Sequence, residues 1–185
     1  MVNLLFPFSS SSPWLSEIKA QQCPPKISEW LYDQQSLTKK LEGLCQNFHV
    51  QVKQQIIVAG ESSLSNYFSP DRKRLVREVF LYCDDRPFVF AQTEIPISTL
   101  TEQQAQLSEI GTQSLGKILF NDPSMKRGQI EVAKFTDKLA LALLSPPIQD
   151  NYDHPLWARR SLFYLNSKPL LVSELFLPAS TIYST

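Results

Sequence analysis

Charged residues that interrupt apolar, strand-like segments are the features of this chain with the most potential for chemistry. Arg77 lies in LVREVFLY, Glu174 lies in LLVSELFLP, and Arg159 and Arg160 begin the run RRSLFYL. A charged side chain on the inward face of a strand costs free energy unless it is paired or binds a ligand. Arginine can hold a carboxylate through two parallel hydrogen bonds, and a carboxylate can orient a hydroxyl or accept a proton. These residues are therefore candidates for a ligand site.

The pattern alone leaves a structural alternative open, in which each charge points to solvent or pairs with another side chain. Successive residues of a strand face opposite sides, so one of Arg77 and Glu78 points inward and the other outward. The same holds for Arg159 and Arg160, and alternation does not decide which member of either pair is buried.

Motifs for other kinds of chemistry are absent from the sequence. There is no GxxxxGK[ST], GxGxxG, HExxH or GxSxG, and His49 and His154 have no metal-ligand spacing. We therefore expect no metal and no phosphate cradle. The cysteines Cys23, Cys45 and Cys83 are odd in number and far apart, which predicts reduced thiols in a cytosolic protein.

The composition is that of one globular domain. The 185 residues are 43% hydrophobic, and 18 basic residues balance 18 acidic ones. Zero net charge gives no broad positive field, so we expect no nucleic-acid or anionic-membrane partner. No apolar run approaches the length of a membrane-spanning helix. These features predict a soluble, cytoplasmic protein that is a monomer.

Helical signals occur in two places. A helix is predicted from Ile27, with Ser28 placed to cap it, and a second is predicted after Ser36, with its apolar face on Leu37, Leu41 and Leu44. Further short helices are predicted from Thr101 and over residues 114–122.

The strand signals predict a largely antiparallel sheet. FHVQVKQQIIVAG and RGQIEVAKF alternate as half-buried strands, and two hairpins are predicted with turns at residues 84–87 and 166–169. Hairpins with grouped helices indicate an α+β fold with about six strands in a single domain. Residues 1–25 are rich in Ser and Pro and predict an extended N-terminal arm, which leaves residues 26–185 as the domain.

Several segments resemble chorismate pyruvate-lyase, in the order that this family has them. They are WLYDQQSLTKKLE, REVFLYCDDRPFVFAQTEIPISTL, LGKILF and RRSLFYLNSKPLLVSELFLPAS, and KPLLVSELFLP is the most specific of them. The resemblance extends from about Trp30 to Tyr183. It implies a buried ligand cavity on the predicted sheet, and it implies conversion of chorismate to 4-hydroxybenzoate and pyruvate without a metal or organic cofactor, at the start of ubiquinone biosynthesis.

The resemblance also implies roles for four residues. Arg77 matches the family's carboxylate-binding arginine, and Glu174 matches the carboxylate near the ring hydroxyl of the ligand. Leu115 matches a residue that offers its backbone N–H to the ligand carboxylate, as does Leu37, where the family often carries Met. The catalytic residues implied are Arg77 and Glu174, and all four residues are implied to bind substrate.

One further position departs from the family pattern, because Gln92 stands where the resemblance predicts an arginine. If that arginine helps to bind an anion, Arg159 or Arg160 is the candidate to replace it here. A binding protein that keeps the fold and lacks the reaction is therefore one alternative function.

A second alternative is a ligand-sensing domain of the same fold, which binds an effector without catalysis in bacterial regulators. Those proteins carry a basic DNA-binding domain ahead of the sensor, and only about 25 non-basic residues precede the predicted domain here.

Overall fold

A computed structural model describes residues 14–16, 23–59, 73–136 and 152–184 of the chain. Most of the predicted N-terminal arm and the loop from Gly60 lie outside the described residues. Within the arm, Leu15 pairs with Val132 through two backbone hydrogen bonds of 2.8 and 2.9 Å. This part of the predicted arm therefore lies against the sheet, while its status as a separate segment stays a prediction.

Six antiparallel strands form one sheet in the order β1-β2-β3-β6-β5-β4. The strands are β1 (Phe48–Ala59), β2 (Lys73–Cys83), β3 (Arg86–Pro96), β4 (Lys126–Phe135), β5 (Leu156–Leu165) and β6 (Lys168–Phe176). The α+β class and the sheet of about six antiparallel strands are confirmed. The two predicted hairpins, β2–β3 and β5–β6, lie side by side because β3 pairs with β6.

Both hairpin turns are tighter than the four-residue turns that the sequence predicts. Asp84 and Asp85 have φ values of +48° and +64°, and Asn166 and Ser167 have values of +48° and +66°. Positive φ at both central residues is the geometry of a two-residue turn whose twist matches that of the strands, and Asn and Asp tolerate it better than most residues.

Three short helices lie outside the sheet: α1 (Pro25–Leu31), α2 (Leu37–Glu42) and α3 (Leu115–Asn121). The Ser36 side chain accepts a hydrogen bond from the Lys39 N–H, as predicted for a cap. The predicted Ser28 cap is wrong, because α1 begins three residues earlier at a proline, which suits the first helical turn. Leu44 is exposed, because α2 ends at Glu42.

Among the described residues, short 3₁₀ helices lie at Ile97–Thr99, Glu102–Ser108 and Thr181–Tyr183. The apolar residues of α1 and α2 pack on one face of the sheet, where Leu31 and Leu41 are fully buried in a cluster with Val79 and Ala91. The other face carries its own apolar cluster, which includes Phe80, Phe90 and Leu175.

The cysteines differ from the prediction of three reduced thiols. Cys45 and Cys83 form a disulfide that joins the segment after α2 to the end of β2, with Cα atoms 5.3 Å apart. Only Cys23 is a free, buried thiol. The prediction failed because strand β2 brings together two cysteines that are 38 residues apart in sequence. The cysteine argument for a cytosolic location is therefore lost.

Among the described residues, no helix combines the length and the apolar character that crossing a membrane requires.

Candidate active site

A pocket lies between the sheet and the N-terminal ends of α2 and α3. Its lining combines apolar side chains from the sheet and both helices with a few polar and charged groups, and all four residues predicted for the site belong to it. The lining residues are Gln35, Leu37, Thr38, Val50, Arg77, Val79, Leu81, Ala91, Thr93, Ser114, Leu115, Gly116, Leu119, Phe120, Arg127, Arg159, Phe163, Val172 and Glu174.

Arg77 projects from the middle of β2 into this pocket and is 2% exposed. Its NH2 group donates to the carbonyl oxygens of Gly111 and Gln113, at 2.9 and 3.2 Å, which fixes the guanidinium from the loop before α3. Its buried Nε has no hydrogen-bond partner among the described residues. Burial lowers the pKa of Arg77 below its ordinary value. A buried cation with a donor left over is suited to bind an anion.

Glu174 projects into the pocket from β6, the strand next to β3. The Nε of Arg159 donates to its Oε2 at 2.6 Å, and the two residues are directly opposite each other on β5 and β6. Arg159 NH1 donates to the carbonyl oxygens of Trp30 and Asp33, both at 2.9 Å. The ion pair therefore fixes the position of one carboxylate oxygen of Glu174 and ties it to the end of α1.

The first residues of α2 and α3, Leu37 and Leu115, are both buried in the pocket wall. The backbone N–H groups of a first helical turn have no acceptor within their own helix. The two helix starts are held together by a buried hydrogen bond of 2.6 Å between the hydroxyls of Thr38 and Ser114. A Cβ on Gly116 would lie 2.6 Å from the Thr38 hydroxyl oxygen, so this contact requires glycine.

Arg127 is a lining residue that the sequence reasoning did not identify. It lies near the start of β4, beside the exposed Lys126, where a basic pair looks like ordinary solvent-facing surface. A β-bulge separates Arg127 from Ile130 in the pairing with β5. This irregularity breaks the simple alternation on which a sequence-based assignment of the strand's faces depends.

The structure decides the two adjacent pairs that alternation left open. Arg77 points into the pocket, whereas Glu78 lies on the opposite face, where the side-chain amides of Gln54 and Gln92 donate to it at 2.7 and 3.0 Å. Arg159 points into the pocket, and its neighbour Arg160 lies on the opposite face.

Gln92 is not a lining residue, because it shares the opposite face with Glu78. An arginine at this position would therefore not point into the pocket in this arrangement. Of the two arginines considered as its replacement, only Arg159 lines the pocket.

The described residues that line the pocket carry a net positive charge. Arg77, Arg127 and Arg159 line it with one carboxylate, Glu174, which leaves an excess of two positive charges among these ionised side chains. Carboxylates neutralise buried arginines most effectively when they accept bidentate hydrogen bonds. The arrangement can therefore hold a small molecule with two negative charges.

Comparison with protein families relates this chain to one family over most of its length. The family model described as chorismate lyase matches residues 8–185, so the likeness begins well before Trp30. A protein of Psychromonas ingrahamii named "Probable chorismate pyruvate-lyase" is 55% identical over 178 residues, which cover 96% of each chain. One of the same name from Shewanella sp. (strain MR-4) is 38% identical and covers 97% of this chain and 94% of its own.

The fold is also similar to that of a solved regulatory domain. The crystal structure of the effector domain of PhnF from Mycobacterium smegmatis matches with a TM-score of 0.56 at 15% sequence identity, covering 78% of this chain and 89% of that one. At this level of identity, the likeness concerns the fold alone.

Proposed function

Because this chain belongs to the chorismate lyase family, we propose that it eliminates pyruvate from chorismate to give 4-hydroxybenzoate. The observation that carries this proposal is the excess of two positive charges among the described residues that line the pocket, which matches the charge of the substrate. Chorismate has two carboxylates, one on the ring and one on the enolpyruvyl group, and both are ionised near neutral pH.

The ring carboxylate is proposed to bind Arg77. The buried Nε of this residue and the helix-start N–H groups of Leu37 and Leu115 supply donors that converge on one region of the pocket without adding further charge. In a site shielded from water, such charge-assisted hydrogen bonds are stronger than the same contacts in solvent.

The C4 hydroxyl on the opposite side of the ring is proposed to contact Glu174. Arg159 occupies its Oε2, and no hydrogen bond to its Oε1 occurs among the described residues. A carboxylate anchored through one oxygen can present the other to the substrate in a fixed direction. Arg77 on β2 and Glu174 on β6 then hold the two ends of the ring.

The reaction breaks two bonds that join substituents to the ring, C4–H and C3–O, and makes the ring aromatic. The electrons of the C4–H bond form the last ring double bond as the C3–O bond breaks, and its electron pair moves onto the oxygen of the departing enolpyruvyl group. That oxygen becomes the ketone of pyruvate once a proton reaches the methylene carbon. Because aromatisation already provides a large driving force, the protein has mainly to hold the reactive conformer and to stabilise the departing charge.

Two routes are open for the C4 hydrogen. It can move to Glu174, which then acts as a general base, or it can pass directly to the enolpyruvyl methylene while Glu174 only orients the hydroxyl. Chorismate deuterated at C4 distinguishes these routes by mass spectrometry of the pyruvate. Deuterium retained in the methyl group excludes a base that exchanges with solvent, and its loss to water excludes direct transfer.

Further features of this proposal come from the family resemblance. They are turnover without a metal or organic cofactor and a place at the start of ubiquinone biosynthesis, whereas action in the cytoplasm and a monomeric state are proposed from the sequence features alone. Dialysis of the purified protein against a chelator tests the first of these features, and turnover of chorismate should be unchanged.

The direct test of the proposed function is a double assay on purified protein with chorismate. Absorbance follows 4-hydroxybenzoate, and a coupled dehydrogenase follows pyruvate. We expect both products in equal amounts. Pyruvate with a different aromatic product would mean elimination at another ring position. Binding of chorismate without either product would favour the effector-binding alternative.

A further inference from the structure

Three arginines line the pocket among the described residues, and two of them, on opposite sides of the site, have no carboxylate partner there. Arg159 is paired with Glu174. Neither Arg77 nor Arg127 forms an ion pair within 4.0 Å among the described residues. The family resemblance implies a role for Arg77 in binding the ligand carboxylate, but it implies no role for Arg127.

Within the described residues, the hydrogen bonds that hold Arg127 in place all go to neutral groups. Its Nε donates to the Ser161 hydroxyl at 3.1 Å, its NH1 donates to the Asp33 carbonyl oxygen at 3.1 Å, and its guanidinium lies over the Phe163 ring at 5.1 Å. These bonds use two of the five donors of a guanidinium. The remaining donors have no hydrogen-bond partner in the part of the chain that the structure describes.

The register of the sheet separates the two unpaired arginines. Arg77 is opposite Thr93, Thr93 is opposite Val172, and Val172 is opposite Ser161. Ser161, to which Arg127 is bonded, therefore lies three strand spacings from Arg77 in the same row, which is about 14 Å along the sheet. The two side chains approach the pocket from opposite ends of this row, and Glu174 lies on β6 between them.

The electrostatic surroundings of Arg127 favour an anion. Burial and then the neighbouring Arg159 cation lower the pKa of Arg127 to about 10, against an opposing effect of the Glu174 and Asp33 carboxylates, so the group remains protonated at neutral pH. A carboxylate bound at this position would relieve both the desolvation of the guanidinium and its repulsion by Arg159.

We propose that Arg127 binds the enolpyruvyl carboxylate of chorismate and thereby distinguishes the substrate from the product. The inference rests on the proposed function, because it assumes that the ring carboxylate binds Arg77. Chorismate has a carboxylate for each unpaired arginine, whereas 4-hydroxybenzoate retains only the ring carboxylate. Arg127 therefore contributes to substrate affinity and to holding the departing group, and it contributes little to product affinity.

The test compares Arg127→Gln, Arg127→Lys and Arg77→Gln with the wild-type protein. Turnover of chorismate is measured as kcat/KM, and the affinity for 4-hydroxybenzoate is measured by titration calorimetry. For Arg127→Gln we expect kcat/KM to fall on the order of 100-fold, the loss typical of one charge-assisted contact, while the Kd for 4-hydroxybenzoate changes less than about threefold. Arg127→Lys should recover part of the loss, and Arg77→Gln should weaken both quantities.

Lys126→Gln is the matched control, because it removes an exposed positive charge from the adjacent residue, and it should leave both quantities unchanged. Equal losses of turnover and product affinity in Arg127→Gln would overturn the inference, since a purely structural role predicts that result. Unchanged kcat/KM would overturn it as well. If the wild-type protein forms no pyruvate, the proposed function fails, and calorimetry with chorismate itself then decides whether Arg127 recognises the second carboxylate.

Discussion

The two faces of the sheet differ in how their charged side chains are paired. On the face away from the pocket, three ion pairs, Arg74–Glu94, Arg160–Glu131 and Lys53–Glu78, join their charged atoms at 2.7, 2.7 and 3.1 Å. Each positive charge there has its own carboxylate. On the pocket face, the described lining residues include three arginines and one carboxylate, that of Glu174, which is paired with Arg159.

This difference distinguishes charged residues that pair within the fold from charged residues that are available to bind a ligand. A buried ion pair contributes little net stability, but removal of one partner is costly because the other charge is left uncompensated. A cation without a partner retains this free-energy cost until a bound anion offsets it. We therefore infer that the pocket face binds an anionic ligand, whereas the ion pairs of the opposite face need no ligand to balance their charges.

The largest expected effect on the pocket face is that of Arg77→Ala. We expect kcat/KM for chorismate to fall on the order of 1,000-fold, as for the loss of a buried charged contact. The fold should persist, because Arg77 has no ion-pair partner among the described residues. Steady-state kinetics and circular dichroism measure the two quantities, and Arg86→Ala, at an exposed turn position, is the control. Turnover close to that of the wild type would remove Arg77 from the site.

On the opposite face, Glu94→Leu should affect stability instead of turnover. It leaves Arg74 buried without its carboxylate, so we expect the free energy of unfolding to fall by about 3 kcal/mol in urea titrations. The double variant Arg74→Met/Glu94→Leu should recover most of this loss, with kcat/KM within about twofold of the wild type, since neither residue lines the pocket. A double variant as unstable as the single one would show that the pair stabilises the fold by itself.

The next prediction compares two similar ion pairs, Arg159–Glu174 on the pocket face and Arg160–Glu131 on the opposite face. Glu174→Gln should lower kcat about 100-fold, at the lower end of the range for groups that orient or move a proton, with a smaller effect on stability. Glu131→Gln changes the Arg160 partner on the opposite face and should leave kcat unchanged. Similar kinetic losses in both variants would mean that Glu174 acts through the fold.

The smallest effect concerns the two helix starts. Gly116→Ala would push a Cβ against the Thr38 hydroxyl and separate the N–H groups of Leu37 and Leu115. We expect kcat/KM to fall about tenfold, which corresponds to about 1.4 kcal/mol. Gly43→Ala is the control, because its Cβ would lie at an ordinary 3.5 Å from its nearest neighbour. Full activity of Gly116→Ala would exclude a need for close packing of these helices.

Much of this arrangement could be predicted from local sequence. The hairpins are indicated by Asp84–Asp85 and Asn166–Ser167 between β-rich runs, and Ser36 marks the start of α2, because turn and cap chemistry depends on neighbouring residues. Leu37, Arg77, Leu115 and Glu174 were identified through the family resemblance, and the structure brings all four into one pocket.

The remaining features depend on contacts between distant segments. Alternation does not say which of Arg77 and Glu78 is covered by helices, and the bulge before Ile130 hides the direction of Arg127. The Cys45–Cys83 disulfide joins residues from different elements, so counting cysteines could not reveal it. The pairing of Arg159 with Glu174 likewise follows from the register of β5 and β6.

The most direct test of the contrast between the faces is a side-by-side measurement of kcat/KM for chorismate in two variants that each replace an arginine of β2. Arg77→Ala removes an unpaired arginine from the pocket face of β2, and Arg74→Met/Glu94→Leu removes a complete ion pair from the other face. We expect a loss on the order of 1,000-fold in the first variant and less than about twofold in the second. Equal losses in both variants, at equal folded fractions, would contradict it.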